Sequence, residues 1–372
     1  MNENNTYQIK IETLSPVHIG DGVLLQNRSD FITVRDANET YNYVVDPQKV
    51  LNLIGVGHLS DWVAAIDRHA LNTLDFVRQY KREVKPMDLA KRKVLSFSQV
   101  RPNDTLKECI HNGMGLPYIP GSSIKGALRT AILARLVRDL QDVETKVIRG
   151  QFSAKQVEAE LFGSSPNSDI FRFLIVGDAY FRKNCEISTR MENLNIRQKN
   201  ELRDGHMSQL VEAIATSCSS VFQLKLATEA HQNAQGVCKL SALPECMRSL
   251  PALFKTLNEH TSSLIRDEIE LWSQKSDDGY EGADDYIDVL TDIQTAIREC
   301  REGEECVLRI GHGSGWRFIT GAWCEDLENF TDIINKARPR NYNYQKYVFP
   351  KTRRLDEDSD ILGFVRLSHI IN

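Results

Sequence analysis

The sequence predicts an α+β protein in which antiparallel sheets carry helices on one face. Two observations predict it. Segments 6–15, 30–46, 171–181 and 220–227 are rich in Val, Ile, Phe and Tyr with in–out alternation, the mark of half-buried strands. Between and after them, apolar residues recur at helical spacing over 47–100, 123–141, 154–162 and 264–297. A chain of 372 residues exceeds one usual domain. Two domains are therefore expected, at 1–182 and 183–372.

Taken in order, 6–15 and 30–46 are strands joined by a glycine turn at Gly20 and Gly22. A helical insertion is expected at about 47–110, where Leu51, Leu53, Ile54, Leu59, Trp62, Ile66, Leu74 and Val77 give one core face. Next, Pro120 and Gly121 break the chain, Ser122 or Ser123 offers an N-cap, and Ala127, Leu128, Ala131, Ile132 and Leu136 form an apolar stripe. Residues 171–181 and 220–227 return as strands, and 306–310 is another, running into Gly311, Gly313 and Gly315. Within an acidic helical segment at about 260–305, two amphipathic helices are separated by the Asp277 to Asp285 linker.

The net charge of −5 is wrong for a chain that grips a polyanion with its whole surface, but the charge is unevenly placed. Residues 78–101 hold eight Lys or Arg against two acids, and 336–354 hold seven against none, interleaved with Tyr342, Tyr344, Tyr347 and Phe349. Cations mixed with aromatics suit single-stranded RNA, whose bases stack while its phosphates are tracked by charge. Residues 265–305 carry fourteen acids against four bases, so RNA should avoid them; they form a helical outer layer or dock a basic partner. Eight cysteines without a Cys-x-x-Cys pair point to reduced thiols rather than a zinc ribbon or disulfide scaffold. No run of about 18 apolar residues and no signal-peptide layout occur, so a cytoplasmic protein without membrane contact is expected.

Residues 119–129 carry the most functional information. Free N–H groups at a helix start attract anions, and Lys125 and Arg129, four residues apart, share a face from which both can reach a phosphate. With Gly121, Ser122, Ser123 and Gly126 they form a candidate phosphate grip. The same residues also suit an ordinary capped helix with two solvated cations. A P-loop is excluded because Lys125 precedes Gly126 instead of following it. Gly311, Gly313, Ser314 and Gly315 alternate so that backbone N–H groups can approach a phosphate, or simply form a tight loop. A dinucleotide fingerprint fails on spacing.

The segment Ile-Pro-Gly-Ser-Ser-Ile-Lys-Gly-Ala-Leu-Arg at 119–129 resembles, residue for residue, the signature of the RAMP superfamily of CRISPR effector proteins. Leu14 to Gly22 resembles that superfamily's first strand and glycine turn, and is especially similar to the Csm-type subunit at the head of type III-A complexes. Asp30-Phe31-Ile32 and Tyr43 to Pro47 are similar to that subunit's next hairpin. Leu161 to Ser164, Leu174 to Ala179 and Glu212 to Leu226 resemble later RAMP blocks, and the Gly311 loop resembles the family's C-terminal glycine loop.

The resemblance implies two RRM-like (ferredoxin-like) RAMP domains with antiparallel sheets and helical insertions. It implies a binding and architectural subunit that holds the 3′ portion of the CRISPR RNA, caps the subunit filament and assists 3′ maturation by admitting or recruiting cellular nucleases. Implied partners are CRISPR RNA, target RNA, RAMP backbone subunits and small helical subunits. Residues 183–210, with Arg190, Arg197 and Lys199, fall where RAMP proteins carry a thumb between guide and target bases. His18, Arg353 and Arg354, with Tyr342 and Tyr344, complete the RNA-binding set. No catalytic residue, metal ligand or cofactor is assigned. The alternatives are a target-cleaving backbone-type subunit using Asp30 with a metal, and a small-molecule enzyme using Gly311 to Gly315.

Overall fold

The computed structural model describes residues 5–68, 72–149, 154–196, 203–238, 240–337 and 350–371. The strands are β1 (Thr6–Thr13), β2 (Gly20–Gln26), β3 (Phe31–Asp36), β4 (Glu39–Val45), β5 (Ala90–Ser96), β6 (Thr105–Cys109), β7 (Tyr118–Ile119), β8 (Leu174–Val176), β9 (Ala179–Tyr180), β10 (Glu186–Asn195), β11 (Arg203–Ile214), β12 (Ser219–Leu226), β13 (Glu305–Arg309), β14 (Thr352–Asp356) and β15 (Phe364–His369). The helices are α1 (Pro47–Ile54), α2 (Leu59–Asp67), α3 (Thr73–Tyr80), α4 (Gly121–Val137), α5 (Val143–Arg149), α6 (Lys155–Phe162), α7 (Thr228–Cys238), α8 (Leu250–Asp277), α9 (Ala283–Arg298) and α10 (Phe330–Ala337). The protein is α+β, as its sequence predicts.

One sheet has five strands in the order β13-β15-β1-β12-β8, every pair antiparallel. With α4 between β1 and β8, and α8 after β12, the strands β1, β8, β12 and β15 trace the βαββαβ path of a ferredoxin-like fold, β13 being an added edge. The period of two sorts its residues between two cores. Leu308, Val365 and Leu367 join Ile9, Ile11, Phe222 and Leu224 beneath Leu128 and Ile132 of α4 and Leu253 and Leu257 of α8. Their neighbours Val307 and Phe364 pack instead with Trp272, Tyr286 and Leu290 of α8 and α9.

The second sheet has eight strands, β2-β6-β11-β10-β5-β4-β3 with β14 added on β10. Its direction is mixed, because β5 runs parallel to β10 and β6 parallel to β11. The expected domain boundary at residue 182 falls between β9 and β10, and both sheets take strands from either side of it. Helices α1 to α3 cover one end of this sheet through Ile32, Val45, Val50, Trp62 and Phe76.

Two local expectations change. The helical reading of 47–100 holds to Tyr80, but 90–96 is strand β5, whose exposure alternates with Lys91 and Lys93 outward and Ala90 and Val94 buried. Neither Ser122 nor Ser123 caps α4. The helix begins at Gly121, whose N–H donates to Asp178 Oδ1 at 2.8 Å. A β-carbon at Gly121 would lie 2.2 Å from the Val176 carbonyl oxygen, so only glycine lets the helix start against the β8–β9 connection.

Candidate nucleic-acid interface

The chain leaving β1 lays His18 into a closed pocket, with its ring buried and Nδ1 2.6 Å from the Glu212 carbonyl oxygen. Burial, opposed by that hydrogen bond, lowers its pKa below the usual histidine value. The His18 carbonyl accepts from His312 N at 2.9 Å. A β-carbon at Gly311, where φ is +82°, would stand 2.6 Å from that same carbonyl oxygen. The glycine is thus required by close approach and by backbone conformation together. It hangs His312 over His18, with the rings edge to face at 5.6 Å.

Two cations from separate strands then converge on His312. Arg354 Nη1, on β14, lies 2.7 Å from its Nε2, and Lys107 Nζ, on β6, lies 3.4 Å from the same atom. Both neighbours donate, so Nε2 carries the lone pair and the ring is neutral, a tautomer assigned from the network. Burial, followed by the charges of Lys107 and Arg354, pushes the His312 pKa down to about 4. Lys107 is itself lowered by burial and by Arg354, and Arg354 by burial. Among the described residues no carboxylate lies within ion-pair range of either cation. Partly buried cations held together without a counter-ion form a site complementary to an anion, and a phosphate oxygen meets that demand.

The sequence-predicted residues divide accordingly. His18, Gly311 and Arg354 are brought to this one place, Gly313, Ser314 and Gly315 follow His312 along the same loop, with Gly313 against Met191 and Leu362, and Lys107 joins the site without any signal in the sequence beyond a lysine in a short strand. Arg353 faces the other way. Its guanidinium takes both oxygens of buried Glu268, at 2.5 and 2.7 Å, where Arg317 and the Tyr286 hydroxyl also bind. Burial opposes the Glu268 charge, but Arg353 and Arg317 hold its pKa below the usual carboxylate range. Arg190 is also interior, 1% exposed on β10, donating to Asp104 and to the Gln99 carbonyl. Arg197, Lys199, Tyr342 and Tyr344 lie outside the described residues.

The signature segment forms a separate surface. Arg129 is held by Asp169 and Glu158 at 3.1 Å each, with its guanidinium carbon 4.3 Å from the Phe162 ring centre. That leaves Lys125, which makes no ion pair among the described residues; burial lowers its pKa, and Asp169 opposes the shift. Ser122 and Gly126 are exposed and Ser123 half-buried. Asp30 accepts from Gln26 N at 2.8 Å as a turn residue.

Glu108, His111 and Glu212 also meet closely enough to suggest a metal site that the sequence did not advertise. A guanidinium already fills that role. Arg92 donates to Glu108 at 2.7 Å and to Glu212 at 2.5 Å, and Lys91 adds a contact to Glu108 at 2.9 Å. Burial, with Glu186 beside it, raises the Glu212 pKa to about 7 against the pull of Arg92. Among the described residues no helix is long and apolar enough to cross a membrane.

This geometry is that of a RAMP protein, and the model of the RAMP superfamily matches residues 10–318. The chain belongs to that superfamily. Over 184 residues it is 26% identical to the CRISPR system protein Csm5 of Methanocaldococcus jannaschii, an alignment covering 47% of this chain and 43% of the relative. The match thus spans less than half of that relative's length. The fold is shared with the crystal structure of Csm5 from T. onnurineus, at a TM-score of 0.66 and 19% identity over 96% of this chain and 99% of that one. It is likewise shared with a chain of a type III-A Csm–crRNA–target RNA ternary complex, at a TM-score of 0.71 and 20% identity over 98% of this chain and all of that one.

Proposed function

We propose that this chain is a Csm5-like RAMP subunit of a type III-A CRISPR complex that binds the 3′ region of the CRISPR RNA, caps the subunit filament there and assists 3′ maturation. The observation that carries the reading is the convergence of Lys107 of β6 and Arg354 of β14 on His312 of the glycine loop, with no carboxylate in ion-pair range of either cation among the described residues. Such a site binds a phosphate of any sequence, which is what a protein that holds a guide whose sequence varies has to do. The superfamily match and the fold shared with Csm5 support the same assignment.

In this reading the subunit positions RNA and does no chemistry of its own, and it works in the cytoplasm beside RAMP backbone and small helical subunits. Cellular nucleases would trim the RNA that it leaves uncovered. Sequencing the 3′ ends of guide RNA from complexes isolated with and without this chain tests the reading. Discrete ends with it and altered ends without it are expected; identical ends would overturn the maturation role. Replacing Asp30 with Ala should leave every target cut in place, whereas loss of one cut in an assembled complex would favour the backbone-type nuclease.

A further inference from the structure

Strand β5 and the Phe97 that follows it present Lys93, Leu95 and Phe97 to one side and bury Val94 and Ser96 on the other, while Lys91, at a bulge, turns with Arg92 to Glu108. Its antiparallel partner β4 places Tyr41 opposite Leu95 and Tyr43 opposite Lys93, so these side chains share a face. Helices α1 to α3 cover the part of that face that holds Ile32 and Val45, Tyr43 beside it is buried too, and the face opens toward Lys93 and Phe97. In the open part, Phe97 is 60% exposed, although its backbone N–H is tied to the Ser188 carbonyl at 2.9 Å. Lys93 lies with Nζ 3.4 Å from the centre of the Tyr41 ring. An exposed phenyl ring on a rigid sheet, beside a lysine already resting on an aromatic face, has the makings of a stacking platform.

We propose that this open face of β4 and β5 is a second RNA contact, in which an unpaired base of single-stranded RNA stacks on Phe97 and an adjoining phosphate meets Lys93. The proposal rests on the reading that the chain binds RNA, and it adds a surface built from other strands than the His312 loop. Charge favours RNA over a protein partner. Lys93 is exposed beside Phe97 and makes no ion pair among the described residues, while the exposed apolar area beside it is one ring and part of Leu95. An acid lies on this face, Glu39 at the start of β4, which accepts from the Tyr41 hydroxyl.

The test uses the full-length protein and a twelve-nucleotide oligouridine carrying 4-thiouridine, photo-cross-linked and mapped by peptide mass spectrometry, with affinity read by fluorescence anisotropy. The expected result is a cross-link within residues 90–101 that Phe97→Ala removes, with affinity falling at least about fivefold, the lower bound for one stacked base. A Lys107→Ala, Arg354→Ala double variant should keep that cross-link. Cross-links confined to the 311–315 loop, with Phe97→Ala at wild-type affinity, would overturn this proposal and leave the assigned function standing. No binding of the oligonucleotide by the wild type would overturn both. If Phe97→Ala binds RNA normally but fails to join the complex, the face docks protein and the proposal falls.

Discussion

Arg354 Nη1 lies 2.7 Å from His312 Nε2, a permanent cation donating to a ring that burial and neighbouring charge keep neutral. The contact fixes the imidazole with its lone pair turned toward two cations. A bound phosphate would compete for the same donors and would also reward a proton on His312.

The first prediction follows from that competition. With its pKa near 4 in the free protein, His312 is neutral at pH 7. A phosphate dockside would raise that pKa, so binding takes up a proton and affinity should rise as pH falls from 7 toward 5. The rise should be absent in His312→Asn. Anisotropy titrations at several pH values check it, and parallel pH profiles for the two proteins would count against phosphate at this site.

Adjacent arginines in β14 should separate cleanly. Arg353→Ala leaves Glu268 buried with less compensation, and removal of one partner of a buried pair costs about 3–5 kcal/mol. Denaturant unfolding should show a loss of that order, with RNA affinity kept in the folded fraction. Arg354→Ala should do the reverse, weakening RNA binding with little change in stability.

That separation also explains what the sequence conceals. Arg353 and Arg354 read alike in a basic run, yet side chains alternate across a strand, so one is directed to Glu268 and the other to His312. Strand β1 and the α4 signature were legible because glycine spacing and apolar periodicity are local, whereas the packing of Gly311 on His18 joins residues far apart in sequence and was not. Lys107 was not, since its role depends on β6 lying near β14's arginine across the chain. Strand β5 read as helix because three consecutive cations hide its period of two. The mixed sheet was equally invisible, because its parallel pairs join strands far apart in sequence.

The signature helix yields a third prediction. Arg129 braces α4 against Asp169, Glu158 and Phe162, so Arg129→Ala should lower stability by about 1–3 kcal/mol in thermal or denaturant unfolding. Lys125→Ala should leave stability near wild type and reduce RNA affinity. Equal effects of the two changes on RNA affinity, with both proteins fully stable, would return Arg129 to the phosphate grip.

The backbone supplies a fourth. Gly311→Ala would force a methyl against the His18 carbonyl at a positive φ, so the loop must shift and carry His312 away from Lys107 and Arg354. RNA affinity should fall even though no charge is lost. Unchanged affinity would mean that the loop's geometry is irrelevant to binding.

The central claim is that Lys107 and Arg354 hold RNA phosphate. Its most direct measurement is the salt dependence of single-stranded RNA binding by the wild type and by the Lys107→Ala, Arg354→Ala double variant. If each cation neutralises one phosphate, the slope of log affinity against log salt should become shallower by about 1.4, or about 0.7 for each lost contact. A folded double variant with the wild-type slope and affinity would contradict the account.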